Sequence, residues 1–520
     1  MQTVQNPVLK GFNPDPSIVR VNQDYYIAVS TFEWFPGVHI YHSRDLVNWE
    51  FVTAPLSDET KVNLTGIDSA CGIWAPNLTY CNGKFYLIYT IVYTNRSRYK
   101  DPHNFIITAD NINGPWSMPV FLNCSGFDPA LFHDENKKWL VNMALDYRIK
   151  NERFAGIDLQ EYDEEKQELI GPVYRIFKGS EIGKTEGPNI IKHGEYYYLT
   201  VAEGGTGFDH CVTVARSKFI TGPYEIDPEN PVLTSRNSSC SLQRAGHGQV
   251  VDSTDGRWYM VHLCSRPISG YSILGRETAI QNVIWNKEGW PRLEKGGNKP
   301  FDSFEIPYVT KKEKLLLYRR EDFDEENIPY DFMTLRNSPE TCHITTKERK
   351  GWLRIYGGNS LSSKFKQGLL ARRQQHFDYE CITKMQFSPR SYRHLAGLVC
   401  YYNYDNYHYL KVSKDENFNI CINITTADNG NIIDSDYIIL EENVEIFYLK
   451  AVVHRESLIF YYSLDSIKYI QVGNTLDMTI LSDEHVDGNG FTGAMIGVCC
   501  QDLMGDGIYA DFDWFEYREL

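Results

Sequence analysis

Three carboxylates, Asp15, Asp128 and Glu186, stand at matching places in a repeat, and with Trp74 and His247 they are the residues whose types and spacing could do chemistry. The matching is measured from five strand-like segments that open on aromatic residues, at Tyr25-Tyr26, Phe85-Tyr86, Lys138-Trp139, Tyr196-Tyr197 and Trp258-Tyr259. Asp15 lies 11 residues before Tyr26, Trp74 12 before Tyr86, Asp128 11 before Trp139, Glu186 11 before Tyr197 and His247 12 before Tyr259. Taken singly, Asp15 in Asn13-Pro14-Asp15-Pro16, Asp128 in Gly126-Phe127-Asp128-Pro129 and Glu186 in Thr185-Glu186-Gly187-Pro188 read as turn or loop acids. Independent turn residues would not share one register in three repeats, so the three acids point to a joint catalytic role.

The chemistry that suits them is acetal hydrolysis. One carboxylic acid protonates the leaving oxygen while a carboxylate on the opposite face acts on the sugar carbon. The pair stands about 6.5 to 9.5 Å apart if that carboxylate activates water, and about 5 to 5.5 Å apart if it attacks directly. Side chains from different repeats facing across a funnel suit the wider gap. A third carboxylate beside the acid raises its pKa by like-charge repulsion and helps to orient it.

The elements that must hold these residues follow from the repeat itself. Steps of 60, 53, 58 and 62 residues separate the aromatic markers, and turn signals such as Asn82-Gly83, His193-Gly194 and Asp255-Gly256 precede most of them. Five units of 50 to 60 residues, each with room for about four strands, predict a five-bladed β-propeller whose first strands line the axis and bring the five side chains to one end of the channel. Gly114-Pro115-Trp116 and Gly222-Pro223-Tyr224 are a second echo of the repeat. The charged stretch Lys311-Lys312-Glu313-Lys314 reads as a linker. Beyond it, Gly351 to Tyr356, Leu395 to Tyr402, Ile446 to Val453 and the alternating Ala510 to Tyr517 read as strands of a β-sandwich. The expected division is an all-β chain with a propeller over 1–305, a linker over 306–321 and a sandwich over 322–520.

Composition limits the partners. With 52 Lys+Arg against 68 Asp+Glu the net charge is −16, which disfavours nucleic acid and anionic membrane surfaces and leaves a neutral or cationic small substrate. No stretch approaches the roughly 18 apolar residues that span a bilayer, and the first residues lack the blocks of a signal peptide. The 12 cysteines are scattered, with one adjacent pair at Cys499-Cys500, as buried thiols in a reducing compartment would be. The expectation is a cytoplasmic protein in which sequons such as Asn63, Asn77 and Asn95 arise by chance.

At the chemical residues the sequence resembles glycoside hydrolase family 43, and in particular its two-domain β-xylosidases. The motifs run from Asn6 to Ser17, through Ser30-Thr31-Phe32-Glu33-Trp34-Phe35-Pro36-Gly37, Gly72-Ile73-Trp74-Ala75-Pro76 and Thr185-Glu186-Gly187-Pro188, to Leu274-Gly275-Arg276-Glu277-Thr278-Ala279-Ile280. The resemblance implies an inverting mechanism, with Asp15 as general base, Glu186 as general acid and Asp128 as the group that tunes and orients the acid. It further implies that Arg276 contacts the sugar, against a purely structural salt bridge, and that Phe32 and Trp74 wall the sugar ring, against a plain core role. Phe491 would reach the pocket rim from a sandwich loop, the alternative being a core aromatic after a hairpin. His247 matches a histidine beside which some members of the family hold a divalent cation through water. A structural histidine is the other reading, and spacing alone supplies no metal-ligand cluster. No cofactor is expected to be required, with a structural or activating calcium ion near His247 left open. Two departures stand out: Gly490 rather than a second phenylalanine precedes Phe491, and only six residues separate Arg266-Pro267 from Leu274-Gly275-Arg276. The shorter loop would widen the leaving-group side.

The expected activity is release of D-xylose from the non-reducing ends of β-1,4-xylooligosaccharides. The rivals are α-L-arabinofuranosidase activity, main or secondary, and a non-catalytic sugar-binding propeller. Small oligosaccharides are the expected partners, and a homo-oligomer is left open.

Overall fold

A computed structural model describes residues 2–95, 97–307, 318–441, 443–488 and 490–520. The stretch Lys311 to Lys314, on which the linker assignment rests, lies outside the described residues.

Five antiparallel sheets follow one another along the first part of the chain. Their first strands are Ser17–Val21, Gly72–Cys81, Ala130–Asp134, Glu186–His193 and Gln243–Asp252, which define blades I to V. Each blade folds because a tight turn returns the first strand on the second. At Asn82-Gly83 both residues have positive φ, 51° and 84°, the geometry that twists a two-residue hairpin correctly and that Asn-Gly adopts at little cost. Gln2–Gln5 pairs with Ser303–Ile306, so the two ends of the propeller are fastened to each other.

The marker aromatics are packing residues. Tyr25, Phe85, Tyr86, Trp139, Tyr197 and Tyr259 are all buried. Tyr26 meets Phe85 edge-on between blades I and II, with centroids 5.7 Å apart, and Phe132 meets Tyr197 in the same way between blades III and IV at 5.9 Å. Near the axis the blades are joined by polar bonds. Asn77 Nδ2 donates to Asn189 Oδ1 at 2.9 Å, Asn77 Oδ1 accepts from the Leu131 amide at 3.0 Å, and Gln249 Oε1 accepts from the Ile18 amide at 2.8 Å.

The second unit is a β-sandwich of an eight-stranded and a nine-stranded sheet. Asp378–Gln386 and Ile446–His454 alternate buried and half-buried residues along their length, as strands with one face on a core must. Strands are found at Leu353–Tyr356, His394–Asn403, Ile446–His454 and Tyr509–Glu519, over the four segments read as strands in the sequence. Among the described residues the helical content is one 3₁₀ turn, Met478–Leu481.

The two units share a sheet. Trp34–Phe35, between the second and third main strands of blade I, pairs with Phe332–Leu335 and so becomes the edge of the nine-stranded sandwich sheet. Trp34 is fully buried and meets Tyr401 edge-on at 5.9 Å. Arg244 of blade V is bound by Asp483 and Glu484 of the sandwich, with Nη1 2.9 Å from Asp483 Oδ2. The sandwich is thereby held at the end of the propeller where the chemical residues lie.

Candidate active site

One residue in or just before each first strand has a left-handed backbone: Asp15 (φ 54°), Ala75 (37°), Asp128 (53°), Gly187 (57°) and His247 (49°). The residues two positions further on, Ser17, Asn77, Ala130, Asn189 and Gln249, include the polar groups that join the blades, which confirms this as the true register of the repeat. Trp74 and Glu186 therefore sit one residue upstream of the position that Asp15, Asp128 and His247 occupy. Counting back from an aromatic marker does not detect this offset, because strand lengths differ by a residue between blades. Non-glycine residues at positive φ are strained, and they persist where surrounding packing fixes them.

A second ring of residues comes from the loop between the second and third main strands of each blade. That loop lies at the same edge as the start of the first strand, because the two strands are antiparallel. It supplies Phe32 in blade I, Lys100 in II, Arg153 in III, Thr206 in IV and Arg276 in V. The two rings enclose a cavity of about 240 Å³ that Phe491 of the sandwich also lines. All eight residues singled out in the sequence, Asp15, Phe32, Trp74, Asp128, Glu186, His247, Arg276 and Phe491, border it. Phe127, which immediately precedes Asp128, borders it too, as do Lys100, Arg153, Phe154, Lys184 and Thr206.

Asp15 is 6% exposed and fully engaged. Its Oδ1 takes a bond from Arg276 Nη1 at 3.0 Å, and its Oδ2 accepts from Ser30 Oγ at 2.7 Å. The same Ser30 hydroxyl accepts from the Ala75 amide at 2.7 Å, tying the carboxylate to blade II. Arg276 turns its remaining donors to the sandwich, where Nη2 donates to the Phe491 carbonyl at 2.7 Å. One guanidinium thus sets both the Asp15 carboxylate and the backbone of the rim phenylalanine. Gly275 makes this approach possible: at φ 74°, a Cβ there would lie 2.1 Å from the Thr492 carbonyl oxygen.

Glu186 is buried, and burial is the main reason its pKa is raised; Lys100 opposes the rise, Asp15 adds to it, and Arg276 and Lys184 oppose it further. Asp128 is raised as well, by burial first, against the pull of His247 and with the push of Glu186 and Asp15. Its Oδ2 accepts from the Gly187 amide at 3.0 Å, which links it to the backbone beside Glu186. Burial and the nearby Arg153 lower Lys100 to about 8. The site therefore holds one carboxylate paired with an arginine and two that favour their protonated forms, an arrangement able to supply a base and an acid to one substrate.

The walls are apolar. Phe32 packs on Trp74 at 5.8 Å and on Phe491 at 6.3 Å, and Trp74 meets Phe491 edge-on at 5.7 Å. Trp74 is held by a bond from Nε1 to the Ala70 carbonyl at 3.2 Å, and the Ala70 amide donates to Glu33 Oε2 at 3.1 Å. The short loop before Arg276 turns away from the pocket. Ile273 is buried in the sandwich core, Ser272 bonds to Glu484, and none of residues 268–273 borders the cavity.

Among the described residues, no three ligand atoms from His, Cys, Asp and Glu side chains converge at His247. Calcium takes six to eight oxygens and His247 offers only nitrogen, so water would have to supply most ligands of an ion at this place. The one such convergence among the described residues is His394, Asp502 and Asp506 in the sandwich. There His394 Nδ1 accepts from the Arg390 amide at 3.1 Å, which puts the ring proton on Nε2, 2.9 Å from Asp506 Oδ1. A protonated nitrogen cannot bind a metal, so this group is a close electrostatic His–Asp contact.

Comparison with known proteins accounts for the arrangement. Residues 4–291 match the model of glycosyl hydrolases family 43, and residues 320–518 match that of the β-xylosidase C-terminal concanavalin A-like domain. The chain belongs to glycosyl hydrolase family 43 and is a glycosidase. It is 43% identical to xylosidase/arabinosidase 43B of Humicola insolens, over 100% of this chain and 98% of that protein. It is 42% identical to the β-xylosidase of Bacillus subtilis strain 168, over 99% of each. The crystal structure of xylan β-1,4-xylosidase from Bacillus halodurans C-125 superposes with a TM-score of 0.96 at 47% identity, covering 99% of this chain and 100% of that one.

Proposed function

We propose that this chain is an exo-acting, inverting β-D-xylosidase that removes xylose from the non-reducing ends of β-1,4-xylooligosaccharides. The observation that carries the reading is the division of labour in one small cavity: Asp15 is paired with Arg276, while Glu186 is buried and raised in pKa. Asp15 accepts a proton from water as that water attacks the anomeric carbon. Glu186 gives its proton to the glycosidic oxygen, and the aglycone leaves as an alcohol. Asp128 holds the backbone beside Glu186 and disfavours a second charge there. A cavity of about 240 Å³ is smaller than the ordinary range for drug-sized ligands, and suits one sugar ring at its base. Phe32, Trp74 and Phe491 pack on the C–H faces of the ring, and the closing of the rim by Phe491 supports cleavage from the chain end. A calcium ion at His247, if bound, would add charge at the funnel floor, and no step depends on it.

A secondary α-L-arabinofuranosidase activity is supported by the double name of the Humicola insolens relative. Proton NMR of xylobiose hydrolysis in its first seconds tests the main reading. α-Xylose should appear first, and β-xylose as first product would overturn the inverting assignment. The ratio of kcat/KM on aryl β-xyloside and aryl α-arabinofuranoside ranks the two activities, with the xyloside expected to lead.

A further inference from the structure

Charge in the pocket runs against charge in the chain. The protein carries −16, yet the cavity is lined by four basic side chains, Lys100, Arg153, Lys184 and Arg276, against three carboxylates. Arg276 is accounted for by Asp15. Among the described residues no carboxylate lies within 4.0 Å of the charged nitrogens of the other three. Lys100, 7% exposed, rests its Nζ over the rings of Trp74 and Phe127 at 5.0 and 5.5 Å, and Arg153 lies over Phe154 at 5.6 Å. Neither ring contact neutralises a charge.

These three cations border the same cavity as Glu186. Lys100 and Lys184 both act on Glu186, and Arg153 acts on Lys100. Lys100 and Lys184 thus bear on the charge of Glu186, with Arg153 beside Lys100, and on the reading proposed above the acid marks the leaving-group oxygen. Their position is not explained by catalysis, since a cation beside a general acid favours its ionised, useless form. Nor does a neutral xylooligosaccharide need three unpaired cations, one of them nearly buried.

We propose that Lys100, Arg153 and Lys184 form an anion-accepting subsite for the leaving group, and that it selects a xylose bearing a uronic acid carboxylate over a plain xylose. The Arg153 fork can take a carboxylate through two parallel bonds, and the two ammonium groups add charge from either side. The proposal rests on Glu186 being the acid.

The test compares kcat/KM on xylobiose with that on xylobiose carrying a glucuronosyl group on its reducing-end xylose. A simpler pair, 3-carboxyphenyl and 3-carbamoylphenyl β-xyloside, isolates the charge. The acidic member of each pair should lead by about tenfold in low salt, and the lead should shrink towards one as the Debye length falls to about 3 Å in 1 M salt. In the double variant R153Q/K184Q both altered residues reach the surface, and the acid-to-neutral ratio should collapse even if overall activity changes. Equal kcat/KM within both pairs overturns the proposal. Preference for the carboxyphenyl xyloside with refusal of the uronosyl disaccharide overturns the sugar assignment. Failure to cleave xylobiose at all would remove the xylosidase reading, and the proposal with it.

Discussion

Replacing Glu186 by Gln keeps the volume of the side chain and removes its proton. Glu186 is buried against apolar walls, and burial is the largest influence on its pKa, so the wild-type carboxyl is protonated over a range in which a surface glutamate is charged. A positioned general acid contributes about 10² to 10⁴ in rate, or roughly 3 to 5 kcal/mol of barrier. Xylobiose, whose leaving group is an unactivated sugar alcohol, should lose that full factor in kcat. 4-Nitrophenyl β-xyloside departs as a stabilised anion and should lose less than about tenfold. The pH profile supplies an independent check. The protonated form of Glu186 is the working form, so wild-type activity on xylobiose must fall as pH rises through its raised pKa. In the variant assayed on the nitrophenyl substrate this alkaline limb should vanish, while the acid limb set by the base remains. Release of xylose by a coupled assay and of nitrophenolate by absorbance measures both. Equal losses on the two substrates, or an alkaline limb that survives the substitution, would refute the role.

Two further perturbations probe the scaffold. Burial raises Glu33 from about 4.5 to about 7, so the folded state holds a proton that the unfolded state releases. Its contribution to stability is complete below pH 4.5 and is lost as pH rises to 7, on the order of 3 kcal/mol. E33Q should flatten the fall of Tm between pH 5 and pH 8, and an unchanged slope would count against the buried, protonated carboxyl. G275A would bring a methyl group to 2.1 Å from the Thr492 carbonyl at a backbone φ of 74°, forcing the two units apart beside Arg276. kcat/KM on xylobiose should drop at least about tenfold, or about 1.4 kcal/mol, and a variant with full activity would show that the Arg276–Phe491 contact does not matter.

The aromatic markers were legible because they do a structural job once per blade. Each sits at the buried face of a second strand, as the contacts of Tyr26 with Phe85 and of Phe132 with Tyr197 show for neighbouring blades. Asp15 and Asp128 were legible for a related reason: a left-handed residue followed by proline ends the approach to the first strand in both blades. Glu186 was found by the same count, although its true register is one residue upstream. Lys100 and Arg153 escaped notice because their loops differ in length and in sequence between blades, and nothing local marks either residue as facing the axis. The Trp34–Phe35 segment read as part of a motif, and only its pairing with Thr334 and Leu335 shows that it belongs to a sandwich sheet.

By itself the sequence determined the periodic features: five blades, a second all-β unit, and three acids that recur in step with the strands. Tertiary structure decided what depends on distance between remote parts of the chain. Arg276 bonds both to Asp15, 261 residues away, and to the backbone of Phe491, 215 residues away. Repetition can be read along one chain, because each blade must bury the same kind of face against its neighbour. The charge state of Glu186 and the surplus of cations around it cannot be read in that way. They come from burial and from charges brought together by separate loops, and those exist only once the blades have closed on one another and the sandwich has covered their rim.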